Sequence, residues 1–251
     1  MWRAIYRVPG LLLVTVLAHG GNWLSRLFVR PFSQKTHVRL RNRCFRFWGR
    51  GLAWCLNMRV SVEGTPPSGR FFMVSNHVSY LDIGLLGIFV DAAFIAKADL
   101  RGWPFLGWVF DTADSIFVDR SKKRDILRVM EKVDAKLDEG YGILLFPEGT
   151  SGKGDALLRF KPSILQFAVE RQAPVHFATL EYRTREGEMP PSRGVCWWGD
   201  EPFFPHFKRL VTLSGMDAIV RFGDAPVIEG DRKLLSQKLH SEMEAIFHPM
   251  P

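Results

Sequence analysis

The sequence predicts an α/β domain with a mainly parallel central sheet flanked by helices, preceded by an N-terminal membrane-associated helical segment. Beyond Glu63, short apolar runs alternate with helical periods, and several of the runs lack the polar alternation of a half-exposed strand. Before that point, one apolar and one arginine-rich helical pattern replace this alternation. We therefore place the helical segment at residues 1–60 and the α/β domain at residues 61–251.

Composition sets the first limits on function. At 251 residues the chain is long enough to bury a full core, and its 47% apolar and 24% charged residues exclude disorder on a large scale. A formal charge of +8 implies an anionic partner, such as nucleic acid, a membrane surface or a phosphorylated substrate. Eight Trp and twenty Phe, many of them beside Arg or Lys, are typical of a protein that meets a lipid interface.

The cysteines and histidines do not suggest a metal site. Cys44, Cys55 and Cys196 are odd in number, widely spaced and without a paired CxxC pattern, which indicates a reducing compartment. The seven histidines are scattered and include no HExxH pattern. We predict no metal.

Residues 4–24 form an apolar stretch with several interruptions. Arg7, Pro9, His19 and the pair Gly20–Gly21 leave an uninterrupted core shorter than the 18 or more residues of a spanning helix. A transmembrane helix and an interfacial or re-entrant helix both remain open. A cleaved signal peptide is disfavoured because no clear small-x-small site follows.

The next segment, residues 36–58, has the pattern of a basic amphipathic helix. Four arginines recur along one face, and an apolar and aromatic stripe lies beside them: Arg39, Arg43, Arg46 and Arg50, then Leu40, Cys44, Phe47, Gly51 and Trp54. Such a helix either lies in the headgroup plane of a membrane or packs on its own domain with a solvated basic face. No helix-turn-helix, zinc-finger or RNP pattern accompanies the arginines, which disfavours nucleic acid.

Six runs in the body of the chain are predicted strands: "RFFMVS", "AAFIAK", "DSIFVD", "YGILLF", "APVHFATL" and "DAIVRF". A helix is predicted between Ser121, its N-cap, and Gly140 beyond its end, with an apolar stripe of Ile126, Val129, Met130, Val133 and Leu137. Residues 182–194 are predicted to be a surface loop, and a terminal helix is predicted at about residues 231–247.

His77 and Asp82 lie five residues apart in "MVSNHVSYLD", just after an apparent buried strand. On a regular helix the two side chains would point about 140° apart, so they meet only if a turn precedes the helix. Asn76 and Ser79 favour such a turn. Asp82 would then hold one imidazole nitrogen and leave the other free as a base, although a histidine and an aspartate at this distance also occur by chance.

A second segment, "LLFPEGTSGKGDALLRFKPS", runs from a buried strand into a loop with three glycines. Thr150, Ser151 and Lys153 make its composition suited to wrapping an anion. The spacing is neither that of a nucleotide P-loop nor that of a Rossmann turn, and a loop that is merely flexible is the alternative.

Taken together, "NHVSYLD" and "FPEGT" resemble motifs of the PlsC-like glycerolipid acyltransferase family, and the resemblance extends over residues 71–180. His77 and Asp82 match the HxxxxD pair of that family. Lys97 in "IAKADLRGWPFLGW" matches the basic residue before its proline-glycine turn, and Arg120 closes "SIFVDR", which matches its third block. "FPEGT" at residues 146–150 matches the fourth block, and "APVHFATL" resembles the last.

The resemblance implies an acyltransferase α/β domain that moves a fatty acyl group from acyl-CoA or acyl carrier protein to the hydroxyl of a lysolipid. The first candidate acceptor is 1-acyl-glycerol-3-phosphate, which would give phosphatidic acid. His77 would act as the base and Asp82 would stabilise the imidazolium. The remaining implied roles are phosphate binding by Lys97 and Arg120, and shaping of the site by Glu148, Gly149 and Thr150.

The resemblance also implies a location and a set of partners. We expect a protein on the cytoplasmic face of a membrane, with a lipid surface, a lysolipid and an acyl thioester as its partners. We expect no nucleic acid and no cofactor apart from the thioester co-substrate.

One departure from the family pattern concerns the acceptor. The commonest form of the fourth block continues with an arginine thought to bind the acceptor phosphate, whereas this chain has Ser151. The continuation looks more like branches that acylate lyso-ornithine lipid or lysophosphatidylcholine, and Lys153, Arg159 or Lys161 are alternative sources of charge. A thioesterase and a non-catalytic membrane-binding module are the competing classes.

Overall fold

The computed structural model describes residues 2–102, 106–118 and 123–250. Its helices are α1 (Trp2–Phe28), α2 (Gln34–Cys55), α3 (Leu81–Leu86), α4 (Leu106–Thr112), α5 (Lys123–Asp138), α6 (Gln166–Val169), α7 (Pro191–Gly194), α8 (Phe203–Thr212) and α9 (Arg232–Ile246). Its strands are β1 (Met58–Glu63), β2 (Phe72–Ser75), β3 (Ala92–Lys97), β4 (Ile116–Val118), β5 (Gly142–Leu145), β6 (Val175–Thr184) and β7 (Met216–Phe222).

The strands of the described chain form one sheet in the order β1-β7-β6-β2-β5-β3-β4. Every neighbouring pair is parallel except β6 and β7, which are antiparallel. β2 and β5 are buried throughout, as expected of central strands covered on both faces. The prediction of a mainly parallel sheet flanked by helices is confirmed.

Two apolar cores lie on opposite faces of this sheet. Met73 and Leu144 point into one core, which also contains residues of α1, α2, α3 and α8. Their neighbours Val74 and Leu145 point into the other, beneath α5 and α9. This alternation follows from the twofold period of a strand, and it places α3 on the same side of the sheet as the N-terminal helices.

Several predicted elements agree closely with the structure. The helix predicted between residues 121 and 140 is α5, with Val129 and Val133 fully buried and Gly140 in the left-handed region at φ 93°. Its predicted N-cap, Ser121, lies outside the described residues. The terminal helix is α9, and the Asp231 side chain caps its first turn.

The structure differs from the prediction at β1 and at the end of β6. β1 was not predicted, because an edge strand that is mostly exposed carries little apolar signal, and "MRVSVE" is stabilised by pairing with β7. β6 extends to Thr184, into the predicted loop at 182–194, and the one-turn helix α7 occupies the end of that loop. Antiparallel pairing of β6 with β7 supplies the backbone partners that extend the strand.

The N-terminal helix α1 packs with its polar side inward. Its buried residues are mostly polar, namely Arg7, Thr15, His19, Asn22 and Ser25, together with Leu11 and Ala18. The outward side carries large apolar residues that are half exposed or more, among them Trp2, Ile5, Tyr6, Leu13, Val16, Leu17, Trp23 and Phe28. This is the reverse of a helix on a water-soluble domain, which turns its apolar stripe toward the core.

Hydrogen bonds hold α1 to the body along its length. Near its start, Arg7 donates to the carbonyl of Leu213, beyond α8, at 2.5 Å. Two turns before its end, the His19 Nδ1 lies 2.6 Å from the Thr112 hydroxyl at the end of α4. Of the described helices, α1 alone has the length and apolar character required to cross a membrane.

The predicted basic helix is α2, capped by the Ser33 hydroxyl. Arg39, Arg43 and Arg50 are exposed, while Arg46 forms an ion pair with Asp91 at 2.8 Å. The opposite face is buried and joins α2 to α1 and α3. α2 ends at Cys55 and β1 begins at Met58, and the division of the chain at residues 60 and 61 stays a prediction.

Candidate active site

The candidate site forms where β2 ends and the chain turns toward α3. Immediately after β2, the Asn76 amide binds both backbone groups of Leu180 on the neighbouring strand β6: it donates to the carbonyl at 3.1 Å and accepts from the N–H at 2.7 Å. The Asn76 side chain thereby continues the hydrogen bonding between β2 and β6 at the point where their backbone pairing ends. This clamp fixes where the next residue, His77, leaves the sheet.

His77 and Asp82 meet in the way that a turn followed by a helix allows. The His77 Nδ1 lies 2.8 Å from the Asp82 Oδ2, and the same oxygen accepts the backbone N–H groups of Val78 at 2.7 Å and Ser79 at 2.9 Å. Asp82 is fully buried in the first turn of α3. A buried carboxylate that accepts three N–H groups fixes both the turn and the imidazole.

The His77 ring is held on its other side by Phe146, the first residue after β5. The two rings stack with centroids 4.1 Å apart and planes 18° apart. The His77 side chain is 22% exposed, and its Nε2 has no hydrogen-bond partner among the described residues. With Nδ1 donating to Asp82, Nε2 carries a free lone pair, which is what a general base requires.

Tyr182 on β6 completes the surroundings of Asp82, and the sequence analysis did not identify it. Its hydroxyl donates to the Asp82 Oδ1 at 2.8 Å, and burial raises the pKa of this phenol well above 10.0. The predicted strand ended at Leu180, but Tyr182 continues the alternation of Ala178 and Leu180 toward one face of the sheet. A tyrosine on such a face was the available signal, because a buried phenol requires a hydrogen-bond partner.

Glu148 links the second predicted segment to His77. One carboxylate oxygen accepts the backbone N–H of His77 and the other accepts that of Leu158, both at 3.0 Å. The residue is almost completely buried, and desolvation raises its pKa to about 7 even though both hydrogen bonds lower it. Glu148 therefore supports the base by holding its main chain and does not touch its ring.

The glycine-containing loop folds around the same turn. Gly149 is buried with φ 73°, a conformation that favours glycine, whereas Thr150 is exposed. The Gly152 N–H donates to the His77 carbonyl at 2.8 Å. Ser151 donates its hydroxyl to the carbonyl of Trp197. The loop is therefore held to the turn at His77 by its main chain, while the Ser151 side chain holds it to the segment at Trp197.

Of the two predicted phosphate-binding cations, the structure describes Lys97, which lies away from the dyad. Lys97 is exposed at the end of β3, one strand beyond β5, which places its main chain roughly 10 Å from that of β2. Lys97 lies two residues after Ile95, so the alternation of the strand directs it to the same side of the sheet, which is the side of α5 and α9. Arg120 lies outside the described residues.

Three further cations lie on the loop after Glu148. Lys153 forms an ion pair with Asp155 at 3.2 Å. Arg159 and Lys161 are exposed, and their side chains have no ion-pair partner among the described residues. No group of three or more His, Cys, Asp or Glu side chains that could hold a metal ion occurs within the described residues.

The site thus defines a class of protein. A His–Asp pair at the carboxyl end of a strand, with the second imidazole nitrogen free and partly exposed, is the arrangement of an enzyme that removes a proton from an acceptor. In open α/β sheets, ligands bind at this end of the strands.

Comparison with known proteins identifies the family. Residues 58–180 match the Acyltransferase family. The chain is 33% identical over 210 residues to a lyso-ornithine lipid O-acyltransferase of Pseudomonas aeruginosa, covering 83% of this chain and 79% of that protein. It is 30% identical to a 1-acyl-sn-glycerol-3-phosphate acyltransferase of Neisseria meningitidis, covering 82% of this chain and 81% of that protein. The chain belongs to this family of acyltransferases.

The fold agrees with a solved structure. The crystal structure of the 1-acyl-sn-glycerophosphate acyltransferase PlsC from Thermotoga maritima matches with a TM-score of 0.67 and covers 97% of both chains at 24% identity. The match includes the N-terminal helices as well as the sheet, since it spans almost the whole chain.

Proposed function

We propose that this acyltransferase moves a fatty acyl group from acyl-CoA or acyl carrier protein to the free hydroxyl of a lysolipid, with His77 as general base and Asp82 as its partner. The contact between the His77 Nδ1 and the Asp82 Oδ2 carries this proposal, because it commits Nδ1 to the carboxylate and leaves the exposed Nε2 available as the base. Glu148 and Gly149 would shape the loop at the site, and Thr150 would lie at its open side.

The proposed reaction needs no covalent enzyme intermediate. The Nε2 of His77 takes the hydroxyl proton while the acceptor oxygen attacks the thioester carbonyl carbon, and an ester bond forms as the C–S bond breaks. The imidazolium, stabilised by Asp82, returns the proton to the leaving thiolate. General-base assistance contributes about 10²–10⁴ in rate, and the alignment of two bound substrates supplies much of the remainder.

The direct test is incubation of purified protein with a labelled acyl thioester and mixed lysolipids. The proposal requires labelled diacyl lipid and free thiol in equal amounts. A thioesterase would instead release labelled fatty acid whether or not lysolipid is present. A non-catalytic membrane-binding module would leave the thioester intact.

Lysophosphatidate and lyso-ornithine lipid are the leading candidate acceptors, with lysophosphatidylcholine as a third, and the side chains of the loop after Glu148 bear on the choice. Relatives of this chain are named for 1-acyl-sn-glycerol-3-phosphate and for lyso-ornithine lipid. Ser151 carries no charge, and its hydroxyl donates a hydrogen bond to the Trp197 carbonyl. Lys153 is paired with Asp155. A phosphate monoester would therefore have to be held by Lys97, Arg120, Arg159 or Lys161. This favours lyso-ornithine lipid over the lysophosphatidate that the sequence placed first.

An acceptor panel tests this preference. We expect a higher kcat/KM for lyso-ornithine lipid than for lysophosphatidate or lysophosphatidylcholine, because the loop after Thr150 offers no arginine to a phosphate. The variant Ser151→Arg should raise kcat/KM for lysophosphatidate relative to wild type. Faster transfer to lysophosphatidate than to lyso-ornithine lipid by the wild-type protein would contradict this preference and favour lysophosphatidate as the acceptor.

We further propose that α1 and α2 hold the enzyme on the cytoplasmic face of a membrane. The apolar side of α1 is exposed, and its polar side is bonded to α4 and α8 along the helix. These contacts favour a helix that lies in the interface over one that leaves the body to cross the bilayer. Beside it, a groove is lined by Val14 of α1 and, from α2, by Arg43, Arg46, Phe47, Arg50, Gly51 and Trp54.

The arginines of this groove are expected to bind lipid phosphates. Each Arg near an anionic surface contributes about 1 kcal/mol, so the double variant Arg43→Gln/Arg50→Gln should weaken binding to phosphatidylglycerol-containing vesicles by about thirtyfold at low salt. The control Arg59→Gln/Lys233→Gln removes the same charge from exposed positions on β1 and α9. Equal losses in both double variants, measured by vesicle sedimentation, would contradict a localised site.

A further inference from the structure

We propose that Tyr182 is a positioning residue for the transfer reaction, acting on His77 through Asp82. The inference rests on the proposed role of His77 as the base. It concerns the Asp82 Oδ1, the carboxylate oxygen that does not contact His77 and has no role in the His–Asp pair itself.

The Asp82 carboxylate is completely enclosed by donors. Among the described residues, its Oδ2 accepts from the His77 ring and from the Val78 and Ser79 N–H groups, while its Oδ1 accepts from the Tyr182 hydroxyl alone. Asp82 has no exposed surface, so water cannot replace a missing donor. An ionised carboxylate is an acceptor only, and a buried one is stable only when its oxygens are hydrogen-bonded.

The Tyr182 hydroxyl is delivered to this place by the same clamp that positions His77. Asn76 binds both backbone groups of Leu180, which lies two residues before Tyr182 and on the same face of β6. The Tyr182 N–H is satisfied by the Met250 sulfur at 3.3 Å, and its side chain is fully buried. His77 and Tyr182 are therefore both positioned by the contact between Asn76 and Leu180, where β2 meets β6.

The phenol acts as a neutral donor and not as an acid. Burial raises its pKa well above 10.0, and the neighbouring Asp82 charge acts in the same direction. Tyr182 therefore keeps its proton at neutral pH. It forms no hydrogen bond with the His77 ring, so it affects the imidazole by way of the carboxylate.

Two consequences for the base follow from this contact. The Tyr182 hydroxyl fixes the rotation of the carboxylate, which keeps the Oδ2 in line with the His77 Nδ1. It also stabilises negative charge on the carboxylate, whose other oxygen holds the His77 Nδ1–H and so leaves Nε2 free. Loss of the hydroxyl would let the carboxylate rotate and take up a proton more readily.

The test compares two buried tyrosines. Tyr182→Phe should lower kcat about 10- to 100-fold, the range for one hydrogen bond to a charged group, with KM for both substrates unchanged. The acidic limb of its pH–kcat profile should move to higher pH. Tyr141→Phe is the matched control, since Tyr141 is also fully buried and its hydroxyl lies 3.5 Å from a carboxylate oxygen, that of Asp114, away from the site. It should keep the wild-type kcat and profile.

A second substitution keeps the test open if Tyr182→Phe does not fold. Site-specific 3-fluorotyrosine at position 182 retains the ring and the hydroxyl but makes the phenol a stronger donor, so the acidic limb should move to lower pH. Wild-type kcat and profile in the folded Tyr182→Phe variant, or an unmoved limb with fluorotyrosine, would overturn the proposal. Activity that survives in His77→Ala would instead refute the base itself.

Discussion

Replacement of His77 by alanine is expected to lower kcat for acyl transfer by about 10²–10⁴, the contribution of a positioned general base. The imidazole is held from both sides, by Asp82 at 2.8 Å and by stacking on Phe146, and no other described histidine has this arrangement. Thioester and lysolipid should still bind, because the substitution removes only the imidazole and leaves the turn and the loop around it in place. The measurement is steady-state kcat and KM with labelled thioester and saturating lysolipid.

The matched control is His240→Ala on α9. His240 is also partly exposed and also faces a carboxylate, that of Glu244 at 3.5 Å, but it belongs to a surface helix. It should keep the wild-type rate, and circular dichroism should show both variants folded. Unchanged turnover in a folded His77→Ala protein would remove the basis of the proposed mechanism.

Glu148→Gln is expected to lower kcat by about 10- to 100-fold while the chain remains folded. Both Glu148 oxygens accept backbone N–H groups, so a glutamine must turn its NH₂ toward either His77 or Leu158. Displacement of the His77 main chain by about 1 Å costs up to about 10²-fold in rate. Glu242→Gln on the exposed side of α9 is the control and should have no effect on kcat.

The pH dependence of stability separates the charge of Glu148 from its hydrogen bonds. Its pKa is raised from 4.5 to about 7 in the folded protein, so between these values the folded state binds more protons than the unfolded state. The free energy of unfolding should therefore fall as the pH rises through this window, by about 3 kcal/mol in total. In Glu148→Gln this decline should be absent, as measured by urea titrations at several pH values. A Glu148→Gln variant whose unfolding free energy follows the wild-type pH curve would contradict the prediction.

The free energy of unfolding of the wild-type protein should accordingly exceed that of Glu148→Gln by the largest amount near pH 5 and by less at pH 8. At the lower pH the wild-type side chain is neutral, and the variant has lost one buried hydrogen bond, worth about 1–3 kcal/mol. At the higher pH the wild-type protein also bears the cost of a buried charge.

The environment of Asp82 is assembled from distant parts of the chain. Val78 and Ser79 are within four residues of it, whereas Tyr182 is 100 residues away. Glu148 is 71 residues from His77 and binds its main chain. These segments meet because β2 lies between β5 and β6, so that two neighbouring strands and the turn after β2 converge on one edge of the sheet.

The sequence by itself determined the class of fold and the local part of the site. Period-2 and period-3.6 apolar patterns predicted β2 to β7, α5 and α9, because burial selects residue types that remain visible in one dimension. The meeting of His77 with Asp82 was also predictable, since five residues with turn formers between a strand and a helix have few ways to close. α1 was seen as an apolar stretch, but its polar interruptions were not recognised as its packing face.

Only the tertiary structure decided which remote residues complete the site. Tyr182 reaches Asp82 because Asn76 sets the register between β2 and β6, and Lys97 is kept from the dyad by the strand β5 between them. The Ser151 hydroxyl contacts a second loop because the fold places the Trp197 carbonyl beside it. Register, strand order and loop contact depend on pairing between segments far apart in the chain, and no local pattern of side chains encodes them.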